Sequence, residues 1–563
     1  MTDAILIFTF GPIQPFIAEA RRPSDLYAGS QILVRLARAI GTAIGENRLI
    51  YPATLQGDTP NRLVARVPWR EAKNVARGAQ EALIKEWKCL ARPSKEYFEH
   101  HGPVPDSTWQ EIWSRQTDHQ WECYWAAAEL PVPEDYKNAY DKCCRALDAV
   151  KRTRAFEQCE EAGEKDTLSG RRSALRVRDM KARAYWQAVS ESGVHAATLR
   201  PDGRERLDAL GAIKRFGDVA RPFASVSSVA SRPFLKVAIA TARSALDEYR
   251  NALESLLDDK LYQVRYDPVW PYNGDLLFKE ALTQGALRDS YGAQALGAAA
   301  LQGAVTKLRR LCEAAGAAPC PYYAIVLLDG DNIGQRIASC QTENEHRSFS
   351  HSLSKFAASV HGMVDTHLGT SIYEGGDDVL ALAPLESAIP LAQALARAFR
   401  EGTTGTASAG VAAVHHRYPL DAALRAARET EREAKSAGRK AVAFRIIKRS
   451  GEGVSVHSSW EAMGDTFNEL VGWFQTRAIS SQFAYDLAAS AYALRPGEMF
   501  RAELKRLAAR HRDSENIDAP DPQALAERLN DWGGRLPVEE RERASTLAGW
   551  VLAARFVAQG GGQ

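Results

Sequence analysis

The chain has 563 residues, a length that predicts several domains, each able to bury its own core. Its 72 basic and 70 acidic residues leave a net charge of +2, which argues against a general polyanion binder and restricts any nucleic-acid contact to local patches. Eight scattered cysteines without a C-x-x-C pair argue against a disulfide framework. No signal peptide and no apolar run of about 18 residues is apparent, so we expect a cytoplasmic protein that does not contact a membrane.

The first region, residues 1–110, alternates between strand and helix patterns. Ile5–Phe10 predicts a strand that ends at a Gly-Pro break, and Ser24 is a candidate cap for a long helix. Arg62–Val67 predicts a second strand, followed by a helix from about Arg70. This plan predicts a first palm-like domain. It carries no acidic pair, so we expect a degenerate copy of the palm that follows later in the chain.

Residues 111–320 are predicted to form a mainly helical linker domain. Its tryptophans at 109, 113, 121 and 125 indicate a core or partner interface, and base stacking is the less favoured alternative. A segment with many basic residues, Lys151–Arg183, is typical of either a solvated helix face or an RNA-backbone contact. Both interpretations remain open from the sequence.

Residues 321–450 have the pattern of a second palm. From Ala324 the order is strand, helix, strand, strand, helix, strand, helix, strand, which predicts a ferredoxin-like domain with additions. The first strand ends in Asp329 and Asp331. The stretch Ile372–Leu382 predicts a β-hairpin with the sequence GGDD at its tip: Gly375, Gly376, Asp377 and Asp378.

The two acidic strand ends are expected to lie at one edge of the second sheet. Carboxylates gathered there would suit hard divalent cations, which can activate a hydroxyl and neutralise a triphosphate. A plain Asp-Gly turn is the alternative for the hairpin taken alone. Residues 451–563 show helical stripes, such as Phe467 with Leu470, and predict a C-terminal helical bundle. The predicted fold class is therefore α+β, with two ferredoxin-like palms and helical intervening and C-terminal domains.

Several motifs resemble known families. The stretch AKSAGRKAVAF (Ala434–Phe444) resembles the phosphate-contacting AKxxGRN stretch of nucleotide and diguanylate cyclases. FGPIQPFIAEARRPSDLYAGSQIL in the first palm is similar to the start of the large subunit of type III-B CRISPR–Cas effector complexes, the Cmr complex. ERLDALGAIKRFG, FASVSSVASRPF, NGDLLF, LLDGDNIG and GGDD then follow in that family's order up to about residue 450.

This resemblance implies an activity and a set of site residues. Such subunits convert ATP into cyclic oligoadenylates at a two-metal GGDD palm once target RNA pairs with the guide. By match, Asp329, Asp377 and Asp378 would be catalytic and, with the Gly330 carbonyl, would hold Mg²⁺ or Mn²⁺; the role of Asp331 stays open. The matched nucleotide-binding residues are Gly29, Ser30, Gly375, Gly376, Lys435 and Arg439, with Gly29 and Ser30 in a loop facing a second nucleotide. The alternatives are a helix start with a small residue for packing at Gly29 and Ser30, and an ordinary basic helix end at Lys435 and Arg439.

The resemblance also implies partners. These are other Cmr subunits, including the small helical subunit and the subunit that binds the crRNA 5′ handle, together with crRNA and target RNA. Two departures stand out: no His-Asp dipeptide marks an HD nuclease domain, and the zinc-finger region, about residues 140–180, keeps few cysteines. A zinc site from Cys89, Cys123, Cys143 and Cys159 is therefore not expected. The alternative function is a non-catalytic, structural or RNA-binding large subunit of the same complex.

Overall fold

The structure is a computed structural model that describes residues 2–153, 161–194, 198–219, 223–262, 270–495 and 497–561. Within these residues the chain forms two β-sheets, one of four strands and one of six, surrounded by helices. The α+β class with two palm-like domains is thus confirmed. Of the described helices, none is long and apolar enough to cross a membrane.

The first sheet has the strand order β2-β3-β1-β4, and all its pairings are antiparallel. Alternating apolar residues bury both faces of the central strand β1, with helices packed against it. The elements of this first palm are β1 (Asp3–Gly11), α1 (Gln14–Ala18), α2 (Pro23–Ile44), β2 (Leu49–Tyr51), β3 (Arg62–Pro68), α3 (Ala72–His100), α4 (Ser107–Thr117), β4 (Glu122–Leu130) and α5 (Tyr136–Arg152).

The middle of the chain is helical and connects the two sheets. Its aromatic and leucine side chains form a separate small core. The helices are α6 (Ala182–Glu191), α7 (Ala209–Phe216), α8 (Val226–Thr241), α9 (Arg243–Leu257), α10 (Gln284–Tyr291) and α11 (Ala298–Ala315).

The second sheet has the order β10-β9-β8-β5-β7-β6, with one parallel pairing between β8 and β9. The predicted GGDD hairpin is confirmed as β6 paired antiparallel with β7. The elements are β5 (Tyr322–Gly330), α12 (Ile333–Ser339), α13 (Glu343–Thr366), β6 (Thr370–Glu374), β7 (Asp378–Pro384), α14 (Ala388–Thr403), β8 (Ala407–His415), α15 (Leu420–Ser436), β9 (Ala441–Ile447) and β10 (Val454–Ser459).

The C-terminal bundle packs on the second sheet, where Trp550 lies near Phe444 of β9 with ring centroids 6.3 Å apart. The predicted stripe containing Phe467 and Leu470 is buried in it. Its helices are α16 (Trp460–Met463), α17 (Thr466–Gln475), α18 (Gln482–Ala491), α19 (Glu498–His511), α20 (Pro522–Gly534) and α21 (Glu540–Ala558).

Two predicted boundaries cut through sheets. The boundary at residue 110 separates β4 from the first sheet, although β4 pairs with β1 along nine residue pairs. The boundary at residue 450 likewise separates β10 from its partner β9. One local prediction also needs correction: α2 begins at Pro23, and the Asp25 carboxylate, rather than the Ser24 side chain, accepts the N–H groups of Arg21 and Arg22.

The two palms share one strand order. The first palm has the order β2-β3-β1-β4, and the second contains the order β6-β7-β5-β8. In each palm the first strand in sequence, β1 or β5, lies between the third and the fourth. The corresponding ladders β1–β3 and β5–β7 are both antiparallel. The last pair of the first ladder is Thr9 with Arg62, whereas that of the second is Asp329 with Asp378. At this matching end of the ladder, the first palm therefore carries an arginine and the second palm carries two aspartates.

Candidate active site between the two palms

The acidic residues predicted from two distant stretches meet at one edge of the second sheet. Asp329, near the end of β5, is the direct antiparallel partner of Asp378, at the start of β7. Asp377 immediately precedes Asp378, and its carbonyl accepts the N–H of Gly330 at 2.8 Å. Antiparallel partners have Cα atoms only about 5 Å apart, so the three carboxylates share one small region. The predicted convergence of Asp329 and Asp377 is therefore found.

Two glycines at this edge of the sheet, Gly375 and Gly330, lie where a larger side chain would not fit. A Cβ at Gly375 would collide with the carboxylate of Asp378 and the ring of Tyr373. A Cβ at Gly330 would collide with Ile333 and Phe399. Gly376 has more room, since its nearest neighbour would lie at 3.5 Å. Gly375 thus lets Asp378 turn back against its own hairpin.

The carboxylates repel each other in a partly buried setting. Burial, and then the charge of Asp329, raises the pKa of Asp377 to about 6. Burial and the charge of Asp377 also raise the pKa of Asp378 well above its usual range, although the hydroxyl of Tyr373 donates a hydrogen bond to it. The pKa of Asp329 is raised by burial despite the neighbouring ammonium of Lys435. Ionising the three carboxylates together is therefore unfavourable, and a bound cation would offset their mutual repulsion.

Lys435 lies directly beside the acidic edge. Its Nζ is 2.7 Å from Asp329 Oδ2 and 2.7 Å from Glu431 Oε1, and these partners raise its pKa against the effect of burial. Helix α15 carries both Glu431 and Lys435, four residues apart on one face. It approaches the sheet closely because Gly410 in β8 has no side chain: a Cβ there would meet Glu431 Cα at 2.6 Å.

Asp331 makes contacts within the protein, whereas Arg439 is exposed to solvent. Asp331 is buried and accepts hydrogen bonds from Thr406 Oγ1 at 2.8 Å, Ser408 Oγ at 2.7 Å and the Lys440 N–H at 3.0 Å. These contacts use its carboxylate to join β5, β8 and the turn after α15. Arg439 lies exposed in that turn, with a positive φ of 64°.

A cleft of about 490 Å³ opens next to the aspartates. Asp377 and Asp378 belong to its second-palm wall, and Arg62 and Arg145 to its first-palm wall, which also includes Asp141 and Asp148. The Arg62 guanidinium donates hydrogen bonds to Cys144 Sγ at 3.2 Å and Tyr140 Oη at 3.4 Å. The volume lies within the range of about 300–1,000 Å³ that small-molecule sites occupy.

Gly29 and Ser30 do not lie in a loop. Both are buried in the second turn of α2, so the helical alternative holds for the local structure and the contact with a nucleotide stays a prediction. Gly29 packs against Lys214, whose ammonium donates a hydrogen bond to the Glu19 carbonyl at 2.8 Å. Ser30 is fully buried, and its Oγ has no hydrogen-bond partner. A small residue at position 29 is therefore explained by helix packing.

A further buried contact joins the first palm to the middle helices. Asp25 of α2 accepts two hydrogen bonds from the Arg215 guanidinium of α7, at 2.9 and 3.0 Å, and Arg215 also contacts Glu205 at 3.2 Å. The cationic partners lower the pKa values of Asp25 and Glu205 to about 2, against the effect of burial. This network involves two of the motifs that carried the family resemblance.

The metal predictions have mixed support from side-chain positions. Among the described residues, no three His, Cys, Asp or Glu side chains already converge to hold a metal ion. Asp329 turns its carboxylate to Lys435 instead. The donor set still fits Mg²⁺ or Mn²⁺, because three carboxylates and the Gly330 carbonyl supply only oxygen ligands to an electrostatically strained site.

The zinc prediction concerns cysteines of which one, Cys159, lies outside the described residues. Cys143 is buried, donates a hydrogen bond to the Ala126 carbonyl at 3.2 Å, and has its pKa raised to about 12 by burial. A buried, protonated thiol of this kind is typical of core packing rather than of a metal ligand. The expectation of no zinc site stays a prediction.

Several residues of the site escaped the sequence analysis. Glu431 and Tyr373 contact the aspartates or their lysine partner, and Arg62, Tyr51 and His346 line the cleft. For Glu431 the four-residue spacing to Lys435 was an available signal. The cleft residues come from the packing of two domains, which no local pattern encodes.

Comparisons with known proteins agree with the two-palm fold. A family model described as "Cas10/Cmr2, second palm domain" matches residues 322–443, and one described as "CRISPR-associated protein Cmr2, N-terminal" matches residues 5–92. The CRISPR system Cmr subunit Cmr2 of Pyrococcus furiosus is 28% identical over 184 residues, which cover 27% of this chain and 21% of that protein. The alignment thus spans about a fifth of the curated relative's length.

Solved structures of a type III-B Cmr-beta complex show the same fold. The cryo-EM structures of its apo state and of its complex with cognate target RNA each match with a TM-score of 0.63 and 13% identity. The matches cover 93% of this chain and 79% and 80% of the respective matched chains. Both palms of this chain are thus similar to Cas10/Cmr2 family domains, as two family models and their common strand order indicate.

Proposed function

We propose that this chain is the large subunit of an RNA-guided type III-B effector complex and that it converts ATP into cyclic oligoadenylates after target RNA binds. The observation that carries the proposal is the pairing of Asp329 with Asp378 beside Asp377, where Asp377 and Asp378 line a cleft between two palms. The similarity of both palms to Cas10/Cmr2 family domains supports the role of large subunit. The partners proposed with it are the other Cmr subunits, including the small helical and crRNA 5′-handle-binding subunits, with crRNA and target RNA.

The side chains suggest a division of roles in the reaction. Asp329, Asp377 and Asp378 would hold divalent cations, which supply charge neutralisation and a more acidic 3′-hydroxyl for attack on an α-phosphate. Lys435, which contacts Asp329, would turn to the departing pyrophosphate, for which its ammonium would supply a compact positive charge. Arg439 is exposed on the adjoining turn and would support the phosphates from solvent. Burial of the aspartates strengthens each of these interactions by lowering the local dielectric.

The proposal is tested on the assembled complex with labelled ATP, magnesium and target RNA. The double variant Asp377→Asn/Asp378→Asn keeps side-chain size and removes charge, and we expect product formation to fall on the order of 100-fold or more. Asp365→Asn, an exposed carboxylate of α13, is the matched control and is expected to retain activity. Target-RNA binding is measured in parallel to check that both variants assemble normally, as we expect.

Two outcomes would contradict catalysis at this site. Equal product from the double variant and the control would place the chemistry elsewhere. No product from the intact complex, together with normal target-RNA binding, would favour the alternative of a structural, RNA-binding large subunit.

A further inference from the structure

The loop that connects β2 to β3, residues 52–61, is the first palm's counterpart of the GGDD turn. In the common strand order, β2 and β3 correspond to β6 and β7, so the two connections occupy matching positions in the two sheets. The first-palm loop is the longer of the two, and it extends to the second palm. It therefore gives the first palm a direct contact with the hairpin that carries the aspartates.

Each palm supplies a hydrogen-bond acceptor to the edge strand of the other. β2 and β6 are edge strands, and α13 lies against β2 as α2 lies against β6. Edge strands have N–H groups without a partner in the ladder. Just after β2, the Ala53 N–H donates to Ser350 Oγ of α13 at 2.8 Å. At the end of β6, the Glu374 N–H donates to Asp58 Oδ2 at 3.0 Å.

The two reciprocal contacts differ in strength. Ser350 offers a neutral hydroxyl, whereas Asp58 offers a carboxylate, and a hydrogen bond to an ionised acceptor is roughly twice as strong as one between neutral groups. The stronger contact is the one made to the GGDD hairpin. Of the two turns, the acidic one is therefore fixed more firmly from the opposite palm.

The Asp58 carboxylate is itself held by the first palm. Gln31 of α2 donates a hydrogen bond to it, which opposes the rise in its pKa that burial causes. The Arg38 guanidinium of the same helix donates to the carbonyl of Gly57, the residue before Asp58. The acceptor is thus attached to α2 at two neighbouring residues, so its position is set by a long helix of the first palm.

The GGDD hairpin needs such a contact on its outer side. Glu374 directly precedes Gly375 and Gly376, and glycine leaves the backbone free to adopt many conformations. The pairing of β6 with β7 is also irregular, with a register shift between Ser371 and Tyr373. On the inner side the turn is fixed by the hydrogen bond from the Gly330 N–H to the Asp377 carbonyl. On the outer side Asp58 supplies the corresponding contact.

We propose that Asp58 is a positioning residue for the GGDD turn: by holding the Glu374 backbone, it sets Asp377 and Asp378 in the orientation in which they bind divalent cations. Pro60 and Asn61 of the loop line the cleft, whereas Asp58 is not among its described lining residues, so it acts through the turn. The inference rests on the proposed function. It assigns the first palm, whose own ladder end is not acidic, a role in orienting the aspartates of the second.

The first test measures amide hydrogen–deuterium exchange in the full chain, without nucleotide. Asp58→Ala removes the acceptor, and we expect exchange at the Glu374 amide to become faster on the order of tenfold. Asp58→Asn keeps an oxygen acceptor of the same reach and is expected to recover part of the protection. Gln56→Ala changes an exposed side chain of the same loop and is the matched control, with wild-type exchange expected. Thermal unfolding checks that all three variants fold.

The second test measures product formation by the assembled complex with ATP, magnesium and target RNA. Asp58→Ala is expected to lower kcat about tenfold, because a displaced turn misplaces the groups that bind the cations. KM for ATP should stay within about twofold, since a residue that does not contact the substrate contributes little to binding it. Asp58→Asn should give an intermediate kcat, and Gln56→Ala should keep the wild-type values.

The outcomes distinguish this inference from the proposed function. Unchanged exchange at Glu374 in Asp58→Ala, or a wild-type kcat for that variant, would overturn the positioning role and leave the catalytic proposal intact. A loss of kcat that accompanies a lower unfolding temperature and is not recovered by Asp58→Asn would show a role in folding alone, and would also overturn it. No product from the intact wild-type complex, with faster exchange in Asp58→Ala, would overturn the proposed function and still support the contact between Asp58 and the turn.

Discussion

Replacing Gly410 with alanine should displace the helix that carries Lys435. Gly410 lies in β8, between β5 and β9, and its Cα faces the backbone of α15. An added Cβ would stand 2.6 Å from Glu431 Cα and 2.8 Å from the Ala427 carbonyl oxygen. Since ordinary carbon contacts are about 3.5–4.0 Å, the helix must move by about 1 Å. The contact between Lys435 and Asp329 would then be lost.

The expected loss of stability follows from overpacking a rigid core. Such substitutions cost about 1–3 kcal/mol. At roughly 2–4 °C per kcal/mol for a unit of this size, the unfolding temperature of the second palm should fall by about 2–12 °C. A displacement of this size at a catalytic group also costs on the order of 100-fold in rate, which is the effect expected on product formation by the assembled complex.

The matched control is Gly362→Ala in α13. A Cβ there would meet nothing within 4 Å, and alanine is favoured over glycine in a helix, so this variant should be as stable as the wild type or more so. Thermal unfolding of the full chain, followed by circular dichroism, measures both variants. If Gly410→Ala unfolds at the wild-type temperature, β8 and α15 do not pack as closely as described. The position of Lys435 beside Asp329 would then be contradicted as well.

The pH dependence of stability offers a second prediction, and the buried ion pair a third. Because the pKa of Asp377 is raised from 3.8 to about 6, its contribution is favourable below pH 4 and is lost as pH rises through 6, by up to about 3 kcal/mol. The unfolding temperature of the wild type relative to Asp377→Asn should therefore fall between pH 4 and 6; a pH-independent difference would refute the shift. Asp25→Ala leaves the buried Arg215 guanidinium with Glu205 as its remaining carboxylate partner and should cost about 3 kcal/mol. Asp25→Leu/Arg215→Met, in which Glu205 keeps its contact with Arg22, should cost much less in the same thermal assay. Equal losses for the single and double variants would contradict this account.

The second palm was predictable because its local signals agree with its tertiary structure. Glycine pairs permit the hairpin turn, and the apolar run after Asp378 is buried as a strand on both faces. The convergence of Asp329 with Asp378 then follows from ladder geometry alone. In a ferredoxin-like strand order, these two acidic strand ends lie at the same edge of the sheet, on neighbouring strands.

The tryptophan stripe shows why the first boundary was misplaced. Trp109 and Trp113 stack in α4 at 5.0 Å between ring centroids, as helical spacing predicts. Trp121 and Trp125 have the same spacing of four, but Trp125 lies in β4. A spacing of four brings residues to one face of either a helix or a strand, so it cannot separate the two.

Other misses have a different physical origin. The strand β10 is short and polar, with the sequence VSVHSS, and is stabilised by pairing with β9 rather than by its own pattern. Gly29 is small because Lys214 of a distant helix packs over it. His346 lies in a helix that was predicted correctly, but its buried contact with Tyr136 spans 210 residues, so no local pattern reveals it.

The unequal ladder ends of the two palms limit how a product can grow. One copy ends its ladder in Asp329 and Asp378, and the other in Thr9 and Arg62, so of these two matching ladder ends only the one in the second palm is acidic. Under the proposed function, phosphodiester bonds must form one at a time at that acidic end. Every elongation and the final ring closure then require the growing oligomer to shift or rebind between successive bonds, always with its reacting phosphate returned to the same strand edge.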